Sequence, residues 1–159
     1  MEINVRKALP EDFKLIGRLL NEILKQHSDG RPDLFEGGES SGKYDREHFE
    51  TLLNDPGCVV FTAECDGEPA GYLICKIITE RPNTVLKAIK TLYLDDLCVD
   101  KNRRGMGVGR ALMAAAESYA RASDFHNITL NVWEFNASAR GFYESLGYTT
   151  QRREMEKVL

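Results

Sequence analysis

The chain has 159 residues, 42% of them hydrophobic and 29% charged, so it is long enough for one domain with a buried core and is neither disordered nor fibrous. Its formal net charge of −4 argues against a general nucleic-acid binder, and no apolar run approaches the roughly 18 residues of a membrane-spanning helix. The opening residues MEINVRKALP lack the layout of a signal peptide, which leads us to expect a cytoplasmic protein with neither a membrane nor a nucleic acid as partner. Cys58, Cys65, Cys75 and Cys98 show no CxxC spacing and each lies in an apolar stretch, so they are expected as free thiols in the core. His27, His48 and His126 are scattered without ligand spacing, and no metal site is expected.

In chain order, EINVRKA alternates like a strand, and Pro10 with Glu11 and Asp12 begins a helix. Its apolar stripe is Phe13, Leu15, Ile16, Leu19, Leu20, Ile23 and Leu24. From His27 to Gly42 the chain is polar and broken by glycines and Pro32, and a second helix fits Tyr44 to Leu53. CVVFTAEC, the turn Asp66-Gly67-Glu68 and AGYLICKIIT read as a hairpin, ended by Arg81-Pro82-Asn83. A strand over Thr91 to Val99 leads into a glycine-rich loop and an alanine-rich helix. Asn127 to Trp133 reads as a strand, Asn136 caps a helix to Leu146, and Gly147 ends it. The tail YTTQRREMEKVL is expected to add a last strand. The order βααβββαβαβ predicts a mixed α/β sheet with helices on both faces, and residues 1–159 read as a single domain.

The stretch RRGMGVGRAL, residues 103–112, spends three alternating glycines at the start of a helix, where each costs about 1 kcal/mol relative to alanine. Exposed backbone N–H groups and the positive end of a helix dipole suit a phosphate there, and Lys101, Arg103, Arg104 and Arg110 add positive charge. A Walker loop would need Lys-Ser or Lys-Thr where Arg110-Ala111 stands, and G-M-G-V-G lacks the Rossmann spacing. The stretch resembles the acetyl-CoA loop of the GNAT superfamily of N-acetyltransferases, Arg/Gln-x-x-Gly-x-Gly/Ala, through Arg104, Gly107 and Gly109. NASARGFYESLGY is similar to the second GNAT signature, matched by Asn136, Ala139, Phe142, Tyr143, Gly147 and Tyr148.

The resemblance implies a sheet whose strands 4 and 5 splay into a V that admits pantetheine, with acetyl-CoA as cosubstrate. Residues 104–110 (Arg104, Gly105, Met106, Gly107, Val108, Gly109 and Arg110) would hold the pyrophosphate. The fourth-strand backbone at Leu97, Cys98 and Val99 would pair with pantetheine and offer an N–H to the thioester oxygen. Asn136 would bond the pantetheine amide or act as a helix N-cap, two roles that do not exclude each other. Tyr143 stands where the family places the acid that protonates the leaving thiolate. For the base, Asp95 shares the parity of Leu97 and Val99, with Asp96 and Glu64 as alternatives; of the two adjacent aspartates one is expected to face the cleft and the other to face away. The acidic stretch with Asp29, Asp33, Glu36, Glu39 and Asp45 suits a small cationic amine as acceptor. Asn131 stands where N-terminal acetyltransferases often carry an acid, which counts against a peptide substrate. A peptide N-terminal acetyltransferase and a catalytically silent CoA-binding module are the alternatives, and the sequence leaves room for a homodimer.

Overall fold

Ile3 and Val5 need a face to cover, and they find it beside the longer apolar strands that follow. In the computed structural model, which describes residues 1–35, 45–79 and 85–159, β1 (Ile3–Lys7) pairs antiparallel with β2 (Cys58–Cys65). β2 turns through Asp66 and Gly67, both at positive φ (53° and 78°), into β3 (Glu68–Thr79), the hairpin geometry that an Asp-Gly pair favours. β3 pairs antiparallel with β4 (Lys90–Val99), and β4 pairs in parallel with β5 (Asn127–Leu130), giving the sheet order β1-β2-β3-β4-β5.

Because the strands alternate, two cores form. On one face Val60, Tyr72, Ile74 and Cys98 meet Leu15, Ile16 and Leu19 of α1 (Phe13–Gly30) and Phe49 of α2 (Arg46–Asn54). On the other, Phe61, Leu73, Cys75, Leu92 and Leu94 meet Leu112, Met113 and Ala116 of α3 (Val108–Ala122). Phe142 and Tyr143 of α4 (Ala137–Ser145) pack on that second core. Side chains such as Leu19 and Leu112, wholly removed from water, each contribute roughly 1.5–3 kcal/mol. The four cysteines are free, and Cys65, Cys75 and Cys98 are buried as expected, with Cys58 half-buried. Among the described residues no group of acidic, histidine and cysteine side chains could hold a metal, and no helix is long and apolar enough to cross a membrane.

The mixed sheet with helices on both faces is the expected architecture; several boundaries differ. A 3-10 turn over Pro10–Asp12 precedes α1, and α1 runs past Leu24 to Gly30 with Lys25 and Asp29 paired one turn apart. α2 begins after Asp45, whose carboxylate accepts from the His48 N–H, while Tyr44 and the Arg81-Pro82-Asn83 break lie outside the described residues. β5 stops at Leu130 instead of Trp133. The expected last strand is not formed: residues 149–159 are all exposed and belong to neither helix nor strand. Neither parity of that tail forms an apolar row (Thr150, Arg152, Glu154 on one, Gln151, Arg153, Met155 on the other), so pairing with its own sheet would bury little.

The chain entry to α1 is held by a polar knot. Arg6 donates through Nη1 to Asp12 Oδ2 at 2.7 Å and through Nη2 to Oδ1 at 3.0 Å, and also bonds Thr62 at 3.0 Å and Glu64 at 3.3 Å. Burial pushes the Asp12 carboxyl upward, but the Arg6 fork and the Leu9 N–H outweigh it and hold it below its ordinary value. Asp12→Ala is therefore expected to lower unfolding free energy by about 1–3 kcal/mol at pH 7. A depressed carboxyl stabilises above its unfolded pKa near 4 and loses that contribution as pH falls through the folded value, so denaturant curves of wild type and variant should converge in acid.

Candidate active site

β4 and β5 keep parallel register only from Thr91 opposite Asn127 to Leu94 opposite Leu130. β4 continues for five residues, Asp95–Val99, of which Asp96–Val99 pair with β3 and none pairs with β5. The two strands therefore part, and the β5-side backbone of Asp95–Val99 borders the opening. This is the stretch containing Leu97, Cys98 and Val99.

The loop at the end of β4 closes by side-chain ties. Asp100 accepts from the Asn102 N–H and pairs with Arg18 of α1 at 2.7 Å. Arg104 donates through Nε to the Val99 carbonyl at 3.1 Å, and its Nη2 stands 3.9 Å from Glu22. Gly105, Met106 and Gly107 are exposed, so their backbone faces solvent. Gly107 is the N-cap of α3 at φ 90°, a left-handed conformation that favours glycine, and no side chain caps the helix. The first N–H groups of α3, from Val108, Gly109 and Arg110, thus point out at the positive end of a 15-residue helix with no side-chain acceptor. Gly109 serves packing: a Cβ there would lie 3.2 Å from the Phe142 ring, so its absence lets α4 close on α3.

On the other arm, Asn136 accepts from the Ala139 N–H at 3.1 Å through Oδ1 and so caps α4, leaving its amide N–H groups as what it can offer a ligand. Seven residues further, Tyr143 sits between Phe142 and Tyr148, with ring centroids 5.2 and 6.0 Å away. Burial, with a smaller contribution from the charge of Asp96, pushes the Tyr143 hydroxyl up to about 12, so it is protonated across the physiological range.

The aspartates resolve through a bulge. Ile74 faces Asp96 but Cys75 faces Leu94, so Asp95 is the extra residue and the alternation of β4 slips by one. Leu92 and Leu94 before it, and Leu97 and Val99 after it, all join the α3-side core. Asp96, opposite Ile74, shares the α1-side face, and Asp95 reaches Lys76 Nζ at 3.0 Å with its side chain 15% exposed. The expectation that one aspartate faces the cleft and the other away assumed an unbroken strand; the bulge removes that basis. Glu64, by contrast, is engaged by Arg6 in β1 and is not brought to the opening.

Where the β5 arm leaves the sheet, an aromatic wall stands that sequence reasoning missed. Trp133 lies 5.4 Å from Phe35, 5.9 Å from Phe135 and 6.3 Å from His27, ring centroid to centroid. Phe135 packs against α1 at Gly30, where a Cβ would come within 2.3 Å of the ring. Trp133 and Phe135 are each more than a third exposed. The polar surroundings of these residues in sequence hid the cluster; the signal was WEF followed by the cap Asn136. Of the expected acidic acceptor stretch, Asp29 pairs with Lys25, Asp33 with Arg31 and Asp45 with His48, while Glu36 and Glu39 lie outside the described residues.

Comparison with known proteins agrees with this geometry. Residues 20–148 match the model of the Acetyltransferase (GNAT) family. The chain is 31% identical over 150 residues to the uncharacterized N-acetyltransferase YhfO of Bacillus subtilis, covering 92% of this chain and 89% of that one. It is 28% identical to the peptidyl-lysine N-acetyltransferase YjaB of Salmonella typhimurium, over 99% of this chain and 92% of that one. A crystal structure of a mutant of the BH1408 protein from Bacillus halodurans superposes with a TM-score of 0.93 at 29% identity, covering 98% of this chain and 99% of that one. A parted β4–β5 pair, an uncapped glycine turn and a family match over most of the chain converge: this protein belongs to the GNAT family and is an acetyltransferase.

Proposed function

We propose that the protein carries the acetyl group of acetyl-CoA to a primary amine by direct attack, with a small cationic amine as acceptor. The observation that carries this reading is a neutral hydroxyl on the half-buried Tyr143, on the arm opposite the unpaired stretch of β4, with the exposed, uncapped turn at the strand's end. The residues fit the cosubstrate: a pyrophosphate suits the amides of residues 105–110, and the edge of Leu97–Val99 suits the amides of a pantetheine arm. Arg104, tied to Val99, acts here by fixing the turn as much as by its charge.

In the reaction the amine lone pair forms a bond to the thioester carbon, the C–S bond breaks, and sulfur leaves with the electron pair. Tyr143 donates its proton to that sulfur and is reprotonated through solvent by the proton that the newly bonded nitrogen sheds as it becomes an amide, while a backbone N–H of β4 holds the carbonyl oxygen as charge builds on it. The ammonium proton of the acceptor passes through water to a carboxylate. Asp96, whose charge reaches Tyr143, is favoured for this step; Asp95, held by Lys76, is the second choice. Aromatic faces attract cations, so the Trp133 wall suits an ammonium or a flat cationic group on the acceptor. A lysine side chain of a peptide is the second reading, favoured by the likeness to YjaB.

Release of free thiol from acetyl-CoA across a panel of polyamines, aminoglycosides, amino acids and lysine peptides tests the assignment. Acetylation confined to hydroxyl acceptors or neutral amino acids would refute it. Tyr143→Phe should lower kcat by about 10²–10⁴-fold with acetyl-CoA affinity nearly unchanged, because only the hydroxyl is lost. Gly107→Val should weaken acetyl-CoA binding in calorimetry while the protein stays folded, since a Cβ at that position meets only Ile3 at 3.6 Å and the strain falls on the turn. The rate should rise with pH as the acceptor amine loses its proton, near pKa 10 for an alkylamine. Tyr143, raised to about 12, keeps its proton through that range, so no alkaline fall is expected before pH 10. Asp96→Asn should depress kcat most at low pH, and more than Asp95→Asn does.

A further inference from the structure

We propose a second activity, one that rests on the acetyl-transfer reading: the protein acetylates its own Lys76. Lys76 lies on β3 opposite Tyr93 of β4. Parity along β3 sets the face on which it stands. Tyr72 and Ile74 belong to the α1-side core, Cys75 and Ile77 to the α3-side core, so Lys76 shares the α1 side with Asp96. Its Nζ reaches Asp95 at 3.0 Å, and its side chain is 45% exposed, so the amine is open to a solute. Asp95 is the bulge residue and the first residue of β4 beyond the parallel pairing with β5. A nucleophilic nitrogen therefore stands at the point where the strands part.

The length of the donor brings its acetyl group to the same point. With pyrophosphate on the turn at residues 105–110, an extended pantetheine arm has about twelve bonds from phosphate oxygen to sulfur, the span of about four residues of extended chain. Counted back along β4 from Val99, that span ends at Asp95. Other lysines are engaged elsewhere: Lys7 lies over the Tyr119 ring, Lys25 pairs with Asp29, and Lys90 donates to the Ser123 carbonyl.

The reaction is the one proposed for a free amine, with the acceptor built into the chain. The Lys76 ammonium gives one proton to Asp95, which passes it to solvent. The Nζ lone pair then bonds to the acetyl carbon, the C–S bond breaks, and sulfur leaves with the electron pair and takes the Tyr143 proton. The second proton, shed by nitrogen as it becomes an amide, returns to Tyr143 through solvent, so one proton is released overall. The product amide carries no charge. Acetylation thus ends the ion pair with Asp95 and leaves that carboxylate to a cation in the opening.

Peptide mass spectrometry after incubating the purified chain with acetyl-CoA, and no added acceptor, locates the mark. Lys76 should gain an acetyl group about tenfold or more faster than Lys25, which is 75% exposed and reports reaction with acetyl-CoA in bulk solution. Tyr143→Phe should slow the mark on Lys76 by about 10²–10⁴-fold and leave that on Lys25 unchanged. At saturating acetyl-CoA the half-time should not change on diluting the protein, because donor and acceptor meet within one chain. Lys76→Arg, which keeps the positive charge beside Asp95, should lack that one acetyl group in its intact mass. Equal marking of Lys25 and Lys76, a Lys76 mark unslowed in Tyr143→Phe, or a half-time that lengthens in proportion to dilution overturns the proposal. Should free amines be acetylated while Lys76 stays bare, this proposal falls and the acetyl-transfer reading stands. Should no amine, free or in the chain, take the acetyl group, that reading falls and this one with it.

Discussion

The structure turns on the parting of two parallel strands. Had β5 followed β4 to Val99, the sheet would have closed and nothing could enter between them. Parting after Leu94 and Leu130 leaves five residues of backbone on one side of β4 without a strand partner among the described residues. Backbone polar groups left without partners are costly away from water, so such an edge must face solvent or a ligand with matching donors and acceptors. The acetyl donor of this family has the amide groups that such an edge would pair.

A second constraint is the bulge at Asp95. Without it, the two aspartates would face opposite sides and only one would stand on the α1 face. The extra residue lets Leu92, Leu94, Leu97 and Val99 all serve one core while Asp95 reaches Lys76 and Asp96 lies opposite Ile74. Charge is thus concentrated on one side of β4, and Tyr143 stands half-buried on the other arm. A phenol shielded from water and near a carboxylate holds its proton strongly, so Tyr143 stays neutral across the physiological range. The thiols of Cys98 and Cys75, both pushed up to about 12 by burial, stay neutral at the same pH and do not compete as nucleophiles.

How far the sequence spoke differs by element. The glycine turn and the Asn136–Tyr143 helix were legible, since both are local: Gly107 needs its positive φ and Asn136 caps its own helix. The slip of the apolar register, Leu92 and Leu94 to Leu97 and Val99, is visible in the sequence as a bulge once the parity is followed across Asp95-Asp96. The parity argument for Asp95 did not follow it. The Trp133 wall was not legible because its members, His27, Phe35, Trp133 and Phe135, come from segments far apart that only the length of α1 brings together. The tail misled because its residues could extend like a strand, with side chains on alternate faces, while carrying no apolar row to hold it in place.

Burial is unevenly shared between the two arms of the V. β4 is held by β3 and by both cores, with Leu92, Leu94 and Cys98 all buried. α4 has no fully buried residue, and every residue of β5 is half-exposed. Asn136 and Tyr143 therefore ride on the less buried arm, where local opening costs least. The turn at residues 104–110 is tied to the more buried arm through Arg104 and Asp100. A ligand that spans both arms supplies bonds that the protein alone does not make. By mass action it stabilises the fold by about 2.7 kcal/mol when present at a hundred times its dissociation constant. The less buried arm is thus the part of the fold that a ligand bridging both arms would brace most.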